Sequence, residues 1–218
     1  MPKPEIHSWQ IVGTTPLIQS NPHGMWAEPE EDDAAEAKPM KRKKPMYSGT
    51  TEAFRVAQGQ LYQENGTHYH PAAGFFDAIS LASRHRKLGR MNAIDAVILG
   101  VRVVGERFAL CEPDTTSPIN PKSWMVDKRR AVNHNKGEAQ GGVAVVAVRP
   151  KWNAWGGVLQ LAIDADLFKT LDGLTDLLNI AGVMFGVGVG RRKIKGIRRQ
   201  QELWSDCGLG RFTAKLIQ

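Results

Sequence analysis

The sequence predicts an α+β fold, an antiparallel-rich sheet carrying helices on one face. Strand-like segments come in pairs around the helical ones, not singly between them as a parallel sheet would need. Two segments, Ala72–Leu88 and Asp166–Phe185, hold apolar residues at helical spacing. The chain then closes on Leu209–Ile217, a short apolar stretch that reads as a last strand.

Glu5–Ile18 alternates loosely, Ile6, Ser8, Gln10 and Val12 against His7, Trp9 and Ile11, and predicts a first strand running out near Thr15-Pro16. Between Asn21 and Pro45 the run EPEEDDAAEA precedes KPMKRKKP. Opposite charge blocks with prolines and almost no aliphatic residues bury no core, so 21–45 reads as a flexible charged insertion. Its basic half, Lys41–Lys44, suits phosphate and suits neutralisation by the acidic run Glu28–Glu36 equally well.

Phe54–Tyr69 predicts a hairpin turning at Glu64-Asn65-Gly66. Pro71 then opens a helix on which Phe75, Phe76, Ile79 and Ala82 recur, and proline suits a first turn because the N–H it lacks has no helical partner there. Arg84-His85-Arg86-Lys87 and Gly89 end it, cations where the helix dipole favours them. Asp95–Leu110 predicts one strand, or two broken at Gly105. Residues 112–142 read as a long basic loop, a length that in a compact domain marks function or disorder. Gly142–Arg149 and Trp155–Asp164 predict a strand pair joined through Pro150–Ala154, and Leu167, Leu171, Leu174, Leu177, Leu178 and Ala181 give the second helix its buried face. The expected organisation is one domain over 1–218 with insertions at 21–45 and 112–142.

The formal net charge is +7, and acids concentrated in Glu28–Glu36 leave the remainder more basic still, so an acidic partner is expected. No apolar run reaches the roughly 18 residues of a membrane span, and Met1–Glu5 lacks a signal pattern, so a cytoplasmic protein is expected, in the host cytoplasm if the chain is viral. Cys111 and Cys207 have no metal-ligand spacing.

The densest chemistry lies in AGVMFGVGVGRRKIKGIRRQQELWSDCGLGRF, from Ala181 to Phe212. Gly186, Gly188 and Gly190 remove side chains where the cations Arg191, Arg192, Lys193, Lys195, Arg198 and Arg199 begin. Glycine allows close approach of main-chain N–H groups to an anion, and cations beside it suit a polyanion. The spacing is no dinucleotide fingerprint, which follows a strand and opens a helix. Further candidate contacts are Arg84, Arg86 and Lys87 after the first helix, and Lys128, Arg129, Arg130, His134 and Lys136 in the long loop. Arg149, Lys151, Trp152 and Trp155 interleave cations with indoles able to stack on bases, or to pack into the core.

This order, with HYHPAAGFFDAISLASR at the first helix and GVGVGRRKIKG…GLGRF before the last strand, resembles the RAMP superfamily, which includes RNA-binding backbone subunits of CRISPR effector complexes. IVGTTPL at Ile11–Leu17 is similar as well. The resemblance implies a modified ferredoxin-like, RRM-type fold with long basic loop insertions, and a groove for single-stranded RNA or DNA lined by the helix after the hairpin, the long loop and the glycine loop. It is similar, too, to small stand-alone relatives of the kind phages carry. Assembly along the strand as a homo-oligomer or filament, or within a ribonucleoprotein complex, is expected, with no cofactor, metal or membrane. Some RAMP proteins cut RNA with a histidine and no metal. Here His68 and His70 would serve if the protein were such an enzyme, their side chains on one side of a strand. A phage single-strand DNA-binding or annealing protein is the other alternative. His-x-His alone places no third or fourth metal ligand.

Overall fold

Along the first strand, alternate residues turn to opposite faces, and Trp9 and Ile11 are completely buried while Ile6 is 60% exposed. The computed structural model describes residues 4–21, 50–84, 86–88, 90–133, 143–168, 170–189 and 208–217. The elements are β1 (Glu5–Gly13), β2 (Leu17–Ile18), α1 (Thr50–Gln58), β3 (Gln63–Glu64), β4 (Thr67–Pro71), α2 (Ala73–Ser83), β5 (Lys87–Leu88), β6 (Met91–Asn92), α3 (Ala93–Gly100), β7 (Val101–Val103), β8 (Arg107–Ala109), β9 (Trp124–Asn133), β10 (Val143–Trp152), β11 (Gly156–Ile163), α4 (Asp172–Met184) and β12 (Phe212–Ile217). They divide into two compact units, the first Met1–Ile18, Tyr62–Trp124 and Lys151–Gln218, the second Gln19–Leu61 and Met125–Pro150. The fold is mixed α+β with antiparallel sheets, and no helix among the described residues is long and apolar enough to cross a membrane.

The first unit is built on a sheet of order β12-β1-β11-β7. Trp9 stands opposite Leu159 on one side and Leu216 on the other, a register in which a one-residue slip would turn Trp9 and Ile11 out of the core. Helices α2 and α4 pack together, and Phe75 and Ile79 of α2 and Leu174, Leu178 and Ala181 of α4 are buried. Phe75 meets Phe108 and Phe212 with ring centroids 4.6 and 5.3 Å apart. Asn179 fixes α4 to β12 twice, its Nδ2 donating to the Ala214 carbonyl and its Oδ1 accepting from the Ala214 N–H. Trp9 Nε1 donates to Thr175 Oγ1 at 2.9 Å, which satisfies the one polar atom of that ring.

In the second unit α1 buries Ala53 and Ala57, one turn apart. Gln60, 4% exposed, donates from Nε2 to the Val148 carbonyl at 2.7 Å, and the Gln19 N–H donates to the Pro150 carbonyl. A buried amide must find such partners, so these two glutamines fix where the segments join β10.

Several expectations are corrected. Thr50–Gln58 is a helix, so the hairpin read from Phe54 begins only at Gln63; its turn is where expected, with Asn65 and Gly66 both at positive φ (48° and 76°). Helix α2 ends at Ser83, not Leu88, because Arg84 is extended, and the helix read as Asp166–Phe185 begins at Asp172. Ala93–Gly100 is a helix with Ala93, Ala96, Val97 and Gly100 inward; the break at Gly105 then separates β7 from β8. Trp124–Asn133, read as loop, is a ten-residue strand. Strands β10 and β11 are not a pair: β10 neighbours β9 and β2, whereas β11 pairs with β1 and β7.

Candidate nucleic-acid interface

The described ends of the glycine-rich stretch are its base. The chain arrives along α4, turns at Gly186 and Gly188 and leaves the described residues after Val189; it returns at Gly208 and enters β12 after Gly210. All four glycines have positive φ, between 60° and 78°. The two arms are tied directly, Val187 N–H donating to the Gly210 carbonyl at 2.9 Å. Both are also tied to the β1–β2 connection: Gly210 N–H donates to Pro16 O, Val189 N–H to Ile18 O, and Thr15 Oγ1 donates to Gly208 O while accepting from Arg211 N–H. The Gly186 N–H donates to the Ala181 carbonyl at 2.9 Å. The N–H groups of Val187, Val189 and Gly210 are engaged within the protein, and a Cβ at Gly188 would stand 2.6 Å from the Ile18 carbonyl. Here glycine serves close backbone packing. Gly190 and the cations Arg191, Arg192, Lys193, Lys195, Arg198 and Arg199 lie outside the described residues, between these tied arms.

In the second unit, Lys128, Arg129 and Arg130 lie on β9, and Arg149 on its neighbour β10. Lys128 is exposed. Arg129 forks onto Asp127, Nε to Oδ2 at 2.5 Å and Nη2 to Oδ1 at 3.2 Å. Burial pulls the Arg149 guanidinium below its ordinary value, Asp127 opposes that pull and Arg129 adds to it. Two guanidiniums sharing one carboxylate leave excess positive charge, which an anion would relieve. His134 and Lys136 lie outside the described residues.

In the first unit Arg84, Arg86 and Lys87 follow α2 on extended backbone and are exposed, with no ion-pair partner among the described residues. They border a cleft of about 970 Å³ whose other wall is α4. Lys151 is half-buried and paired across to Ile18. Of its two readings Trp152 takes core packing: it is completely buried, its ring centroid 4.9 Å from that of His68, and it offers no face to a base.

His68 and His70 share one side of β4, as alternation requires, but only 5% and 6% of each is exposed. Burial pulls the His68 imidazole below its ordinary value, and its Nδ1 has no hydrogen-bond partner among the described residues. His70 lies beneath the glycine arm, where a Cβ on Gly188 would come 3.7 Å from its Cε1 and one on Gly74 3.4 Å from its Nε2. Both rings are almost wholly buried, whereas a general base must reach a substrate proton.

Sequence reasoning missed two features. Arg107 sits 5.1 Å from the centroid of the Tyr69 ring and pairs with Glu64, a cross-strand arrangement visible only once β4 and β8 are paired. It also missed that Met184, on the last turn of α4, breaks the helix's buried stripe by remaining 43% exposed at the cleft. No protein-family model and no curated protein matches the chain.

Proposed function

We propose that the protein binds single-stranded nucleic acid, RNA in preference, through its phosphates and with little regard to sequence, and that copies assemble along the strand. One observation carries this reading: the arms on either side of the cation-rich residues 190–207 are locked to each other and to Thr15–Ile18 by the hydrogen bonds described above. A cationic segment fixed at both ends loses less freedom on binding than a free tail, so more of its electrostatic attraction appears as affinity. The β9–β10 cations of the second unit are a second contact of the same kind. Phosphate contacts carry no base identity, hence the tolerance of sequence.

A modified ferredoxin-like fold of RAMP type is part of the proposal. It is supported by the first unit's sheet, where β1, β7, β11 and β12, counted as first to fourth, stand in the order fourth, first, third, second, with α2 and α3 in one crossover and α4 in the other.

The test is a titration of the full chain against labelled single-stranded RNA, single-stranded DNA and duplex DNA at two salt concentrations, with end points run on a denaturing gel. Salt-sensitive binding to a single strand, RNA foremost and uncut, is the expected result. DNA preference would turn the reading toward single-strand DNA binding or annealing, cleavage toward a ribonuclease, and failure to bind any of the three would remove it.

A further inference from the structure

The cleft beside α4 differs from the other cationic surfaces in its floor. Arg84, Arg86 and Lys87 stand along one rim, while Leu81, Ile180 and Met184 line the interior with one acid among the described residues, Asp176. Met184 is 43% exposed at the end of α4, where solvent alone would favour a polar residue. A phosphate backbone gains nothing from such a floor. Among the described residues of the lining the aromatic is Phe185, which is buried and offers no open face for stacking bases. An amphipathic helix with acidic flanks uses both parts: apolar side chains every three or four residues seat on the floor and carboxylates meet the rim.

We propose that this cleft receives an acidic amphipathic segment of another protein, its apolar face on Leu81, Ile180 and Met184 and its carboxylates against Arg84, Arg86 and Lys87. The charge complementarity is one-sided, since those three cations have no ion-pair partner among the described residues. The open Met184 side chain at the helix end makes an anchor point of the kind that concentrates binding energy.

The experiment titrates the full chain, by fluorescence anisotropy, with a labelled designed peptide of about 18 residues, five helical turns. Leucines form one face and glutamates flank it. A scrambled peptide of the same composition and a labelled single-stranded oligouridylate are run in parallel. The patterned peptide should bind at least about tenfold more tightly than the scrambled one, the scale of a single apolar anchor. Met184→Glu should erase that preference while Met184→Leu keeps it, and serine at Arg84, Arg86 and Lys87 together should weaken the peptide at least about tenfold more than it weakens the oligonucleotide. Melting curves check that the variants fold, and Ile180→Glu, also in the lining, repeats the test should Met184→Glu fail to do so. Equal binding of both peptides, no binding of either, or a preference that survives the glutamate substitutions overturns the proposal. So does loss of oligonucleotide affinity in Met184→Glu, which assigns the cleft to nucleic acid. Loss of self-association in that variant, read by sedimentation, overturns it in favour of a second copy of this chain.

Discussion

His68 shows how position decides what a side chain can do. Its strand neighbour Tyr69 faces the other way, into Tyr62 and beneath Arg107, whereas the His68 ring is carried inward against Trp152. The backbone holds it there, Leu110 N–H donating to the His68 carbonyl at 2.9 Å. Burial disfavours the imidazolium, so the folded-state value lies below the unfolded one of about 6.5. Above that value both states hold a neutral ring and its titration costs nothing. As pH falls below it the unfolded chain takes up a proton that the folded chain resists, so stability is lost progressively until the folded value is passed. The melting temperature should therefore drop between pH 7 and pH 5, and His68→Gln should drop less. An identical drop in the two proteins would assign the acid sensitivity to other groups.

The glycine arms belong to the scale of elements, because their geometry has meaning only where α4, β12 and the β1–β2 connection meet. At Gly186, φ is +69° and a Cβ would stand 2.7 Å from the carbonyl oxygens of Leu209 and Gly210. At Gly66, in the hairpin turn, φ is +76° but nothing lies within 4 Å. Alanine at Gly66 should thus cost only the left-handed backbone penalty, about 1 kcal/mol. At Gly186 it should cost at least about 3 kcal/mol, since the backbone strain is joined by a clash between main chains. Urea unfolding of the two variants separates the effects, and equal losses would mean that the arms are not held together as described. The same contrast marks what the sequence made legible. Asn65-Gly66, the helix leading to the glycines and the closing strand were readable because their signals are local. The Ala53–Ala57 spacing of α1 was hidden by Phe54, and α3 was hidden because Ile98 and Leu99 remain outside, so the segment reads as one apolar run. Strand partners were the least legible. Trp152 ends β10 and Trp155 immediately precedes β11, strands that join different sheets, and pairing of that kind depends on packing far along the chain. In the site the cations were visible as composition, but that the glycines engage each other, and that three of the cations rim an apolar cleft, required the fold.

At the scale of the whole molecule, the question is how a chain of net charge +7 divides its cations among partners. Bulk charge attracts any polyanion, so affinity for nucleic acid alone would not tell the glycine-loop cations from those around the cleft. The salt dependence of binding does, because each phosphate contact on a single strand contributes about 0.7 to the slope of log affinity against log salt. Alanine at Arg191, Arg192 and Lys193 together should flatten that slope by about 2 if all three meet phosphates. The same change at Arg84, Arg86 and Lys87 removes equal charge and should leave the slope nearly unaltered, since those side chains are assigned to an acidic protein segment. The triple variants have the same net charge, so long-range attraction falls by a similar amount in each, and only direct contacts distinguish them. Equal flattening would merge the two surfaces into one nucleic-acid groove and dissolve the cleft as a separate site. A slope that changes only in the cleft variant would move the strand from the glycine loop to the helices, and would leave the locked arms as a structural tie with no ligand of their own.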